Sequence, residues 1–359
     1  MTSTNMASCS SSLSIPGQPG NLDSDRVILR GPSRGWDDKF REEDLCCRSV
    51  SMNGMDDSGE DDEYDIKKDR VKDEGVVELL LWTDLAHWQQ HGSELIHTGY
   101  RKACGSVTGC LHSWTYLHNE TVNIFSHIVG AIAFFLCIPL WIAITTIPPR
   151  LAIATTSDIV VCGTYILGVG ACFVLSTIFH TFMSHSLEVY HIGMKLDIQG
   201  ILLLMWGATV WLIYYSFPCR PVLQAGYLGA TTLLAGLCSV ATLWPRFSGP
   251  HLGHYRAALF GSFGFGSFLA PVLHGGMLYG FGEQSKRIGL GWIVTTAVFN
   301  GAAVVVYTLK FPERWFPRQF DIFGASHQIM HVMVVCAALS LTVAMLAAFD
   351  FRHEVDVGC

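Results

Sequence analysis

Charge is scarce in this chain. Of its 359 residues only 15% are Asp, Glu, Lys or Arg, while 50% are hydrophobic and mean hydropathy is +0.35. A soluble domain carries about a quarter charged residues, so a membrane protein is the first reading. Closely paired cysteines are also missing. The 12 cysteines form no Cys-x-x-Cys pair, and Cys137, Cys162, Cys172, Cys238 and Cys336 fall inside apolar runs, where cysteine behaves as a small apolar residue. Neither a disulfide framework nor a thiolate metal site is expected. The N-terminus has no basic stretch leading into an apolar core, so no cleavable signal peptide is expected. The terminal Cys359 does not fit a prenylation signal.

The charges present are unevenly placed. Residues 1–75 hold roughly 17 acids against 10 bases, and beyond them the two signs balance. Gly59-Glu60-Asp61-Asp62-Glu63-Tyr64-Asp65 cannot bury enough apolar surface to order itself, so 1–75 reads as a disordered acidic cytosolic tail. In 76–90, Val77, Leu80, Leu81, Leu85 and Trp88 recur at helical spacing among polar residues. The segment is too short and too polar to span, and it predicts an interfacial helix. It opens a juxtamembrane linker, 76–117, that contains the basic patch Tyr100-Arg101-Lys102.

A membrane-crossing helix needs about 20 apolar residues, and seven runs qualify, at 123–146, 158–180, 195–217, 222–244, 254–275, 289–309 and 326–349. Pro-, Gly- and Lys/Arg-containing breaks separate them. The fold class is therefore all-α: a seven-transmembrane helix bundle over 118–350, with a short tail at 351–359. The Lys/Arg bias of the short loops places the N-terminus inside and the C-terminus outside. Two familiar seven-span classes are excluded. The seventh run has no lysine for a retinal Schiff base. It also lacks Asn-Pro-x-x-Tyr, and the third ends in Tyr214-Tyr215-Ser216 without an acid–Arg pair, against a G-protein-coupled receptor.

Polar residues inside spans are costly and are functional candidates by default. Ser176 and His180 stand one turn apart near the end of the second run, Asp197 stands near the start of the third, and His327 and His331 stand one turn apart at the start of the seventh. Residues four apart share a helix face, and with seven spans all three groups fall on one side at similar depth. Three neutral imidazoles with a fourth position left to water describe a catalytic zinc site, with Asp197 holding that water or acting as an outer partner. Hydrogen-bonded core histidines and an Asp197–Lys195 ion pair are the alternatives. His185 and His191 read as loop residues, and His112, His118 and His127 as packing residues.

The stretches Leu117-His-Asn-Glu-Thr-Val-Asn-Ile-Phe-Ser-His127, Ser176-x-x-x-His180, Asp197 and Phe316-Pro-Arg-Gln-Phe-Asp-Ile-Phe-Gly-Ala-Ser-His-Gln-Ile-Met-His331 resemble the progestin and adipoQ receptor family, also called haemolysin-III-like. The resemblance covers 95–350 and is closest to adiponectin receptors and their fungal relatives. It implies a cytosolic N-terminus, a Zn2+ held by His180, His327 and His331, Asp197 beside its water and Ser176 adjacent. It also implies a link to ceramide hydrolysis and to lipid and zinc homeostasis. The expected activity is that of a ceramidase-like lipid amidohydrolase with a receptor or signalling role. The alternatives are a receptor with a structural zinc and, less favoured because the span midplanes are apolar, a zinc or proton transporter. Expected partners are membrane lipids and a ceramide-like substrate, with no nucleic acid. An extracellular ligand, a homo-oligomeric state and the choice between plasma membrane and endomembrane are left open.

Overall fold

The computed structural model describes residues 78–90, 94–144, 149–244 and 253–354, and the expected tail at 1–75 lies outside them. Seven described helices are long and apolar enough to cross a membrane. A short helix α1 (Val107–His112) leads into the first of them, α2 (Thr121–Ile144), which includes a π turn at Ala133–Cys137. A single turn α3 (Arg150–Ile153) precedes α4 (Thr156–Phe182), α5 (Leu187–Ser216) and α6 (Pro221–Leu243). Then follow α7 (Gly253–Tyr279), the short α8 (Phe281–Arg287), α9 (Leu290–Leu309) and α10 (Ser326–Glu354). Among the described residues the sole β feature is an isolated bridge, Leu80 to Tyr100.

The helices divide into inner and outer sets. Half or more of the apolar window of α4, α5 and α10 is buried (50%, 50% and 56%), against 17% for α6 and 11% for α9. Exposed Leu233 on α6 and Val298 on α9 therefore face the lipid that the bundle requires. In lipid no hydrophobic force drives helices together, so close packing through small residues takes over. α4 and α5 share the most extensive contact of any helix pair, and glycine permits it. A Cβ on Gly168 would stand 2.7 Å from the Leu203 carbonyl oxygen, and one on Gly207 would stand 2.8 Å from that of Thr164. Trp211, Tyr165, Tyr215, Phe134 and Phe173 fill the space around this seam. Tyr165 satisfies its buried hydroxyl by donating to the Ala338 carbonyl of α10 at 2.7 Å.

Polar clamps close both ends of the inner set. At the end where α4 begins, Thr155 and Asp158 cap the helix reciprocally, and buried Asp158 also accepts from Tyr215 Oη (2.8 Å) and contacts His353 Nε2 (3.1 Å). Arg150 donates twice to Asp350, at 2.7 Å each. At the opposite end, where α2 begins, the N-terminal segment is strapped over the bundle. The segment expected as one interfacial helix is instead two 3-10 turns, Trp82–Asp84 and His87–Gln89. The Leu80–Tyr100 bridge draws this strand-like stretch out of helical geometry. Two further expectations need correction. His191 is not in a loop, because α5 starts at Leu187 with Ser186 as its cap (Val189 N–H to Ser186 Oγ, 3.4 Å). Cys219 is disulfide-bonded, which the scattered cysteine spacing did not disclose.

Candidate metal centre

The chain around the site is fixed from the backbone upward. The start of α10 carries an orphan N–H set, as every helix start does, and a buried carboxylate satisfies part of it: the Ser326 amide donates to Glu313 Oε2 at 2.8 Å, and the Ser326 hydroxyl donates to Glu313 Oε1. Negative charge at a helix N-terminus is favourable. Two residues on, Gln328 Nε2 donates to the carbonyls of Asn119 and Ile322, each at 2.8 Å. Asp321 accepts from the Thr98 amide (3.0 Å) and hydroxyl (2.9 Å), joining the loop before α10 to the N-terminal strap.

His327 and His331 then project from one face of this anchored turn, and His180 meets them from the end of α4. Ring centroids are 4.7 Å apart for His327–His331, 4.8 Å for His180–His331 and 5.3 Å for His180–His327. One ligating nitrogen from each lies within 4.8 Å of the other two, and His327 Nε2 and His331 Nε2 are 3.0 Å apart. Three nitrogens bound tetrahedrally at about 2.0–2.1 Å would stand about 3.4 Å apart, so the set is within a small contraction of enclosing an ion. Among the described residues this is the one such cluster. His180 Nε2 and His331 Nδ1 are buried without a hydrogen-bond partner. Buried polar atoms are rarely left so, and an imidazole set with unused nitrogens suits a borderline metal such as zinc. The residues fit the group.

The remaining sequence candidates lie around this cluster. Ser176, one turn before His180, is buried with its Oγ unpartnered. Asp197 on α5 is half-buried, close to Ser176 and His180, and lines a cavity of about 390 Å³ with Tyr100, Glu120, His180, Tyr307 and His327. It contributes no atom to the three-nitrogen cluster. The cavity volume is in the range of small-molecule sites.

Arg101 and Glu120, not singled out as site residues in the sequence, stand at the cluster, and His127, expected to pack, does so there. His127 is buried against His331, ring centroids 4.1 Å apart, with neither ring nitrogen partnered. Arg101 is no surface basic residue. It is 5% exposed, and its guanidinium donates to the carbonyls of His180 (2.6 Å) and Thr181 (3.0 Å) and to Ser113 Oγ (2.9 Å). Glu120 Oε2 stands 2.7 Å from His180 Nδ1 and accepts from Asn123 Nδ2 at 2.6 Å. Burial alone would raise the Glu120 carboxyl, but its contact with His180 prevails and holds it well below the usual carboxylate range. The available signal was an acid one residue before a span, on the side where the histidines gather.

The comparisons with known proteins decide the family. Residues 115–342 match the haemolysin-III-related family. The chain belongs to this family. It is 35% identical over 265 residues to the adiponectin receptor protein of Drosophila melanogaster, covering 74% of this chain and 58% of that one. It is 34% identical over 275 residues to the ADIPOR-like receptor IZH2 of Saccharomyces cerevisiae (77% and 85% covered), and 32% identical over 303 residues to the progestin and adipoQ receptor-like protein 1 of Caenorhabditis elegans (81% and 68%). The matched region of the family includes Glu120, Ser176, His180, Asp197, His327 and His331. This haemolysin-III-related chain is an integral multi-pass membrane protein.

Proposed function

We propose that the protein is a zinc-dependent hydrolase of lipid amides, ceramide-like in substrate class, which also serves signalling. One observation carries the reading: three histidines from two inner helices converge, and two of them, His180 and His327, line a cavity that the Asp197 carboxylate also lines. A structural metal is usually enclosed by four protein ligands, whereas three leave a position for reactants. Zinc bound there would supply Lewis acidity and a nucleophilic hydroxide at neutral pH.

The chain's own groups cover the remaining needs of amide hydrolysis. An Asp197 oxygen takes the proton from the attacking water and returns it to the departing amine nitrogen, the two halves of general acid–base catalysis. Ser176 Oγ, buried beside Asp197, can donate to the oxygen that becomes negative in the transition state. The cavity lies where α2 and α10 begin, the end at which a lipid headgroup and its linkage would meet the bundle. The receptor names of the relatives support the signalling part, and the Lys/Arg distribution supports a cytosolic position for this end of the bundle. Full-length protein in detergent is expected to release a fatty acid and a sphingoid base from ceramide. Chelation is expected to abolish turnover and added zinc to restore it. A chelated sample that turns over like the untreated one would refute the hydrolase reading.

A further inference from the structure

Resting on that zinc reading, we infer that Glu120 is the positioning residue of the metal centre: its carboxylate holds the Nδ1 side of the His180 ring, so that Nε2 is the atom turned toward His327 and His331. An acid that begins a helix normally serves that helix, as a cap or against its dipole. Glu120 occupies the N-cap place of α2, yet its side chain makes no capping bond. It reaches across to α4 instead, 2.7 Å from His180 Nδ1.

Its own position is fixed on both sides. The Glu120 amide donates to Nδ1 of buried His118 at 3.1 Å, and Asn123 Nδ2 donates to the same carboxylate oxygen that faces His180. The other side of the imidazole separates this role from a plain buried ion pair. A doubly protonated ring would carry a second N–H at Nε2, and that atom is buried with no acceptor. A neutral ring, with its one proton shared with Glu120, leaves Nε2 a lone pair free for a metal. Carboxylate–histidine–metal chains of this kind set the tautomer and raise ligand basicity, and losing the outer carboxylate costs about 10–100-fold in metal affinity.

The test uses full-length protein in detergent, stripped and titrated with zinc against a chromogenic chelator, and with cobalt to read the ligand field by absorption. Glu120→Ala is expected to weaken zinc binding about 10–100-fold and to alter the cobalt spectrum. Glu120→Gln keeps an acceptor oxygen for Nδ1–H and is expected to recover most of the affinity and a spectrum close to wild type. If Glu120→Ala does not fold, Glu120→Met, which has similar length but offers Nδ1–H no oxygen, carries the comparison, and wild-type affinity and spectra in that variant would overturn the assignment. Folded Glu120→Ala that binds zinc and cobalt like wild type would overturn it while leaving the zinc centre standing. A wild-type protein that binds no zinc would overturn the centre itself, and the assignment with it.

Discussion

His180 is held from two directions, and the two holds differ in kind. Glu120 meets its ring, whereas Arg101 meets its backbone and that of Thr181, so the N-terminal strap and the three-histidine cluster meet at one residue. The guanidinium uses two nitrogens on three oxygens, a fork that an ammonium cannot copy. Hydrogen bonds to a charged group contribute about 1.5–3 kcal/mol each side of such a deletion. Arg101→Lys should therefore lower the thermal unfolding midpoint by several degrees and weaken metal retention, although the charge is kept. A midpoint and metal content equal to wild type would remove the strap from the account. In the sequence, His180, His327 and His331 were legible because helical spacing and span parity act on them directly. Arg101 was not, because a basic residue beside Lys102 before a span reads as a headgroup anchor; only the fold reveals that it points inward at carbonyls.

At the scale of elements, the α4–α5 pair sets the site, since it carries Ser176 and His180 on one helix and Asp197 on the other. Its seam depends on Gly168 and Gly207, where any side chain would run into a facing backbone carbonyl rather than a yielding side chain. Gly207→Ala is expected to cost about 1–3 kcal/mol, the range for overpacking a tight interior, read as a lower melting temperature in detergent together with loss of bound metal. An unchanged melting temperature would show that the helices can part without penalty. Span positions followed from apolar run length, but the start of α5 was missed by eight residues. Hydropathy cannot see its first turns, which carry Glu188, His191 and Lys195 and are helical because Ser186 caps them. The strap at 78–90 departs from the expected helix for the reverse reason: apolar residues at helical spacing are present, but the backbone pairing of Leu80 with Tyr100 is a long-range choice that local periodicity does not encode.

For the whole molecule, two clamps at opposite ends pin the same inner helices, the Asp158–Tyr215–His353 set at one and Arg101, Glu120 and Glu313 at the other. The three-histidine cluster belongs to the second, and the proposed topology puts that end in the cytosol. An Asn-x-Thr acceptor appended beyond Cys359 should be glycosylated in cells, and one inserted within 1–75 should not. The reverse pattern would invert the topology and put the chamber on the opposite side. The class of fold was carried by composition and by the length and number of the apolar runs, while the convergence of three distant segments needed both the span count and the helical period.

The central claim is that His180, His327 and His331 hold a zinc ion, and metal content by mass spectrometry tests it most directly. Detergent-purified wild type is compared with His327→Ala/His331→Ala, both confirmed as folded monodisperse protein. The account predicts about one zinc per chain in the wild type and none above background in the double variant. Equal zinc in both, or none in either, would contradict it and leave three histidines that only pack the bundle.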